Sequence, residues 1–323
     1  MQDSANGRNG AIETLDFLGE HGFRASGEGH IPTSAKRFPD GAQYRVEIPS
    51  VEGPACLAAV VEEAERLEVT VHRASQGSGV FLHTDDELDE MARIAAAAPL
   101  EVSLFARPGA AWVISPTARA HAGFGGSAFG LEGVAANLDD CRRAAAHGFR
   151  SVLIGDVGVL DVFGRARSAG LLPADMQAKV SVMLPASNPA SAALFERLGA
   201  STINLPTDLS VAQIAAIRAA VEIPLDIYIE SPDNLGAYLR YHEIPELIRV
   251  ASPIYLKFGL RNAPDVYPAG SHLEGTTLAL TRERVRRARL GMELLERSAG
   301  EFATSKPGAA GLAVPQPQRD RAA

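Results

Sequence analysis

Eight short apolar runs, each followed by a helix-like segment, predict an α/β chain folded as a single (β/α)8 TIM-type barrel. Strict strand–helix alternation makes the strands parallel, and eight is the number that closes the ring. A second observation supports closure. One face of the runs is steadily apolar while the other is polar, as when helices cover the outside and a lumen lies inside. A third disfavours an open doubly wound sheet: "EIPSVEGP" after the first run is not the Gly-rich GxGxxG turn such sheets carry.

The elements follow in order. Residues 1–42 form an N-terminal extension, with a short helix expected over 11–20 and a Gly/Pro-rich loop, "ASGEGHIPTSAKRFPDGA", over 25–42. The barrel is expected over 43–300 and a disordered tail over 301–323, where Pro, Ala, Gly and Gln replace any periodicity. Strands are predicted at Tyr44–Ile48, Val69–His72, Val102–Phe105, Val152–Ile154, Ala178–Leu184, Thr202–Leu205, Leu225–Ile229 and Ile254–Phe258. Between them, apolar residues at i, i+3 and i+4 predict helices over 54–67, 86–98, 132–147, 159–169, 189–198, 210–220 and 234–250, with a last one over 281–298. Asp85, Asp208 and Ser210 stand where N-caps are expected, and Gly148, Gly170 and Gly199 where helices close.

The polar face is the informative one. Arg45, Glu101, Lys179 and Asp226 come early in their strands, and their signs cancel, which suggests a structural ion-pair layer at the barrel bottom. Glu47, His72, Arg107, Asn204, Glu230 and Lys257 come late, at the carboxyl ends where such barrels place their chemistry. Lys257 is notable because it interrupts the apolar run "IYLKF" and is one of only four lysines in the chain. Two long segments after strand ends, Pro108–Gly130 and Gly259–Leu280, are candidate lids.

These residues suggest a catalytic set of Glu47 and Glu230 as acid and base, His72 assisting, and Lys257 and Arg107 stabilising developing negative charge. Arg73, Arg107 and Arg261 could clamp an anion, most simply a carboxylate, with Asn204, Tyr228 and Asn262 as further substrate contacts. A desolvated Lys257 could instead form an imine, with Tyr228 or Glu230 moving protons; an ion pair with Glu230 is the plain alternative. No cofactor is expected. A divalent ion, if bound, would take Glu47, His72, Asp156 and Glu230, although no HExxH or HxH spacing fixes such a site. Ser75 and Ser78 in "HRASQGSG" lack the GxSxG elbow and read as a polar turn.

Composition limits the partners. The 323 residues carry a net charge of −8, which speaks against a nucleic-acid surface. The Arg-rich stretch "TRERVRRARLGMELLER" reads as an amphipathic helix over the barrel. Two cysteines, Cys56 and Cys141, cannot by themselves ligate an iron–sulfur cluster and read as buried apolar groups. No apolar run reaches a membrane-spanning length, and "MQDSANGRNG" lacks a secretory core, so a cytoplasmic protein without membrane contact is expected. The expected partner is a small-molecule substrate, and a homo-oligomer is left open.

Three stretches also carry a resemblance. "SVEGPACLAAVVEEAERLEVTVH", "DDCRRAAAHGFRSVLIGDVGVL" and "KVSVMLPASNPASAALFERLGASTINLPTDLSVAQIAAIRAAVEIPLDIYIESP" resemble the collagenase-like peptidase family U32 across roughly residues 45–235. The resemblance implies a barrel enzyme and, nominally, a hydrolase or peptidase. Some family members instead use a four-Cys cluster to hydroxylate RNA bases or quinone precursors. This chain has Glu230, Ser231 and Pro232 where those members have a cysteine-bearing run, so cluster chemistry is not expected. The alternatives are a Schiff-base lyase, a metal-assisted isomerase or a ligand-binding barrel without turnover.

Overall fold

The computed structural model describes residues 16–23, 31–107, 116, 125–298 and 300–317. Its sheet is a closed barrel of eight parallel strands, each hydrogen-bonded to the next and the eighth to the first. They are β1 (Tyr44–Pro49), β2 (Arg73–Ser75), β3 (Glu101–Phe105), β4 (Ser151–Ile154), β5 (Gln177–Val180), β6 (Thr202–Asn204), β7 (Leu225–Glu230) and β8 (Ile254–Phe258). The covering helices are α1 (Pro54–Arg66), α2 (Asp85–Ala97), α3 (Gly130–Ala146), α4 (Val157–Ser168), α5 (Pro189–Arg197), α6 (Val211–Ala220), α7 (Ile244–Ala251) and α8 (Glu274–Glu296).

Local chemistry sets these boundaries. Thr84, Asn188 and Ser210 close capping boxes with Glu87, Ser191 and Gln213, so the caps fall one residue before Asp85 and two after Asp208. Asp156 caps α4, accepting from Gly158 N at 2.7 Å and Val159 N at 3.0 Å. The helix expected over 234–250 shortens to α7: Gly236 turns left-handed at φ 94°, and Pro245 can sit in a first turn but not inside a helix. The core runs between sheet and helices, with Val46, Ile48, Val102, Leu104, Ile203, Ile227 and Leu256 buried on the outward strand face.

Three expectations need correction. The second strand is Arg73–Ser75, not Val69–His72. Glu68 turns left-handed at φ 53°, and His72 bonds to Val46 O just before the ladder with β1 begins at Glu47–Arg73. The fifth strand stops at Val180, where Ser181 starts a turn. The tail is placed through residue 317: Gln43 and Thr304 join it to β1, and Gln316 N donates to Gly148 O at 2.8 Å. Polar groups under the barrel give this Pro/Gly-rich segment bonds that its composition did not advertise. Most of the candidate lid at Pro108–Gly130, like residues 1–15 of the extension, lies outside the described residues.

Candidate functional site

The lumen is organised around Glu47, fully buried on β1. Its Oε2 accepts from Arg73 Nε at 2.8 Å and Nη2 at 2.5 Å, and its Oε1 accepts from Ser75 Oγ at 2.6 Å. Lys179 Nζ bonds to both oxygens, and Lys257 Nζ stands 3.2 Å from Oε1. Asp226 joins from β7, 2.6 Å from Arg73 and 3.2 Å from Lys179. Three cations thus converge on Glu47, with Asp226 and, 3.6 Å from Arg73, Glu101 completing the charge balance. Burial alone would raise the Glu47 pKa, but Arg73, Lys179 and Lys257 outweigh it and hold the carboxyl well below its ordinary range. Burial, reinforced by Arg73, pulls Lys179 down to about 8 against the attraction of Asp226 and Glu47.

The interruption of the last strand is therefore a designed pairing. Parallel register sets Lys257 beside Glu47 on one side and Tyr228 on the other. Its ammonium lies 4.5 Å from the centre of the Tyr228 ring, a cation–π contact inside a desolvated lumen. The expected pairing with Glu230 does not form. Lys179 and Asp226, read from the sequence as part of a separate lower layer, belong to this same network, as does Glu101 through Arg73, while Arg45 bonds to the tail at Ser305 and Ala310.

The four residues proposed as catalytic do not meet. Glu47 and Lys257 are together. His72 lies below them, against the tail: Nδ1 accepts from Val46 N at 3.0 Å, so Nε2 carries the proton and donates to Ser305 O at 2.8 Å. Burial pulls its pKa down to about 4, which keeps the ring neutral. Glu230 faces outward, because β7 carries a bulge: Tyr228 pairs with Lys257, but Glu230 pairs with the next residue, Phe258. One extra residue reverses its side, and the carboxylate accepts from Tyr241 Oη at 2.6 Å and Arg261 N at 2.9 Å, with Arg287 3.6 Å away. The metal set of Glu47, His72, Asp156 and Glu230 is dispersed accordingly. Among the described residues no group of three or more His, Cys, Asp or Glu could hold a metal ion.

The substrate-binding candidates also divide. Arg73 lies deep in the lumen, its guanidinium 3.5 Å from the Tyr255 ring centre, bound to Glu47 and Asp226. Asn204 is buried at the end of β6, and its Oδ1 has no hydrogen-bond partner. Arg107 is buried just beyond β3, stacked 4.3 Å from the Phe105 ring centre, and burial pulls its pKa down to about 10. Arg261 and Asn262 are exposed and open the loop after β8, where Asn262 N donates to Asp233 Oδ2 at 2.6 Å.

Sequence reasoning missed part of the mouth. Glu52, beyond β1, accepts from Gly77 N at 2.7 Å and Ser78 N at 3.0 Å, and burial raises its pKa. Tyr267 reaches back from the loop after β8 to bond Ser50 Oγ, and its ring packs against Gly77 so closely that any Cβ there would collide with it. Arg284 enters from α8 and donates to Ser50 O at 3.2 Å. An "SxEG" turn after a strand end, as in Ser50–Gly53, offers little signal of this. Tyr267 and Arg284 are more than 200 residues away in sequence.

The site defines a class: a (β/α)8 barrel with a charged lumen and polar groups gathered where strands end. The model of peptidase family U32 matches residues 132–231, from α3 through β7, so the resemblance read from the sequence holds over that span. No curated protein matches the chain. Among solved structures, a U32 peptidase, Mk0906, is 14% identical with a TM-score of 0.38, covering 72% of this chain and 98% of its own. CutC of Streptococcus agalactiae, assigned to copper homeostasis, is 11% identical with a TM-score of 0.43, covering 66% and 98%. A fructose-bisphosphate aldolase of Campylobacter jejuni is 12% identical with a TM-score of 0.43, covering 88% and 94%. Among the described residues no helix is long and apolar enough to cross a membrane.

Proposed function

We propose that the protein is a barrel enzyme that acts on a small anionic substrate at the carboxyl ends of its strands, nominally as a hydrolase. The observation that carries this reading is the Glu47 clamp. It fixes the Lys257 ammonium at the top of β8, beside the Tyr228 ring, while Asn204 ends β6 and Arg107 follows β3. A preorganised cation in a dry site is suited to stabilising charge that develops on a substrate oxygen. The hydrolase class rests on the resemblance to family U32.

In this reading Glu47 is a counter-ion and not the proton-transfer group. A carboxylate held far below its ordinary pKa is a weak base. Tyr228, whose pKa burial raises, keeps its proton near neutrality and can donate a hydrogen bond beside Lys257. An imine on Lys257 is less favoured, because its ammonium is engaged by Glu47. Glu230 acts at a distance by anchoring the loop that starts at Arg261.

The test is turnover of short peptides and small amide- or ester-bearing carboxylates, followed by mass spectrometry of products. Lys257→Met should lower kcat/KM by about 100-fold or more, the usual effect of deleting one such charge-stabilising group. Equal turnover in the variant would refute the assignment. Saturable binding with no product from any substrate would favour a non-catalytic barrel.

A further inference from the structure

Arg284 is a buried guanidinium near the barrel mouth. It projects from α8 and is 5% exposed. Its Nη1 donates to Ser50 O at 3.2 Å, its Nε has no hydrogen-bond partner, and among the described residues no carboxylate forms an ion pair with it. Arg73 and Arg45 show what the fold otherwise provides. Arg73 lies against three carboxylates, and Arg45 donates to Ser305 Oγ, Tyr255 Oη and Ala310 O. A charge withdrawn from water and left unpaired is costly, so its retention points to a partner that arrives from outside.

The surroundings describe that partner. Thr281 lies three residues earlier, on the same face of α8, and its buried Oγ1 is also without a partner. Glu52 acts electrostatically on Arg284, but its carboxylate is engaged by Gly77 and Ser78. Ser50 joins the parts: its carbonyl receives Arg284, its hydroxyl receives Tyr267, and its left-handed backbone (φ 59°) turns the chain at the top of β1. Tyr228, which flanks Lys257, also lies within the field of Arg284. A carboxylate suits the planar fork of the guanidinium, whereas a phosphate dianion would bring more negative charge next to Glu52.

We infer that Arg284 anchors a substrate carboxylate at the barrel mouth, under the loop that carries Tyr267. This rests on the proposed small anionic substrate and names its charged group. The test is calorimetric titration of the full-length protein with N-acetylglycine and, separately, with inorganic phosphate. N-acetylglycine should bind saturably, and Arg284→Lys and Arg284→Met should each weaken it at least about tenfold, the loss expected for one charge-assisted contact. Circular dichroism melts confirm that the variants fold, and the Lys variant preserves the charge. Absence of N-acetylglycine binding, unchanged binding in both Arg284 variants, or tighter binding of phosphate overturns the inference. Lys257→Met separates it from the reading beneath it. Turnover lost in Lys257→Met with N-acetylglycine binding intact in the Arg284 variants sinks the anchor alone. Binding lost in the Arg284 variants while Lys257→Met retains full turnover keeps the anchor and sinks the assignment to Lys257.

Discussion

Glu47 is the residue on which the lumen depends. It holds Arg73, Lys179 and Lys257 at once, and the isosteric change Glu47→Gln would leave three buried cations facing only Asp226 and Glu101. Removing one partner of a buried pair costs about 3–5 kcal/mol, far more than the pair itself is worth against an apolar replacement. Urea unfolding of Glu47→Gln near neutral pH should show a loss of that size. A loss below about 1 kcal/mol would mean that the cations find other partners or give up their protons. The sign with pH agrees. The Glu47 carboxyl is held below its unfolded value, so its contribution is present above the ordinary carboxylate range and lost as pH falls through the depressed folded value.

At the scale of elements, strand–helix order and the inward polar face were legible because both are periodic. Parallel closure then followed from the count. Lys257 was legible for the same reason: a charge at an inward position of an apolar run must have a partner. Two of the misreadings share one cause. A bulge or a late strand start changes which face a residue takes, and neither alters composition. The alternation in "VTVH" looks like a strand, yet pairing begins one residue later and sends Arg73 inward. The bulge between Tyr228 and Glu230 sends Glu230 out towards α8. Gly291 was equally silent in sequence. A Cβ there would lie 2.5 Å from the Phe258 ring and 3.3 Å from Ile244 Cδ1, so α8 rests directly on β8. Gly291→Ala should gain about 1 kcal/mol in helix propensity but cost about 1–3 kcal/mol in overpacking. We expect net destabilisation, read as a lowered Tm. A raised Tm would mean that the ring swings aside freely.

For the whole molecule, a charged lumen requires a floor, and the tail supplies it. Arg45 bonds to Ser305 and Ala310, Glu101 receives Ala313 N at 3.3 Å, and His72 donates to Ser305 O. These contacts give the neutral His72 a linkage role. Its folded pKa of about 4 lies below the ordinary value near 6.5, so the unfolded chain binds the extra proton between those limits. Stability should therefore fall as pH drops from about 6.5 to about 4, by roughly 3 kcal/mol in total, and His72 should contribute no slope above that window. Other carboxylates titrate at its lower end, so the measurement is a difference. Chain ending at residue 300 should unfold at lower temperature, because Arg45, Glu101 and His72 lose their cover, and a solvated His72 should shed most of its slope between about pH 6.5 and 5. His72→Gln in the full-length chain should flatten the same interval. If the truncated and full-length chains keep parallel stability curves there, the tail is not what holds His72 neutral.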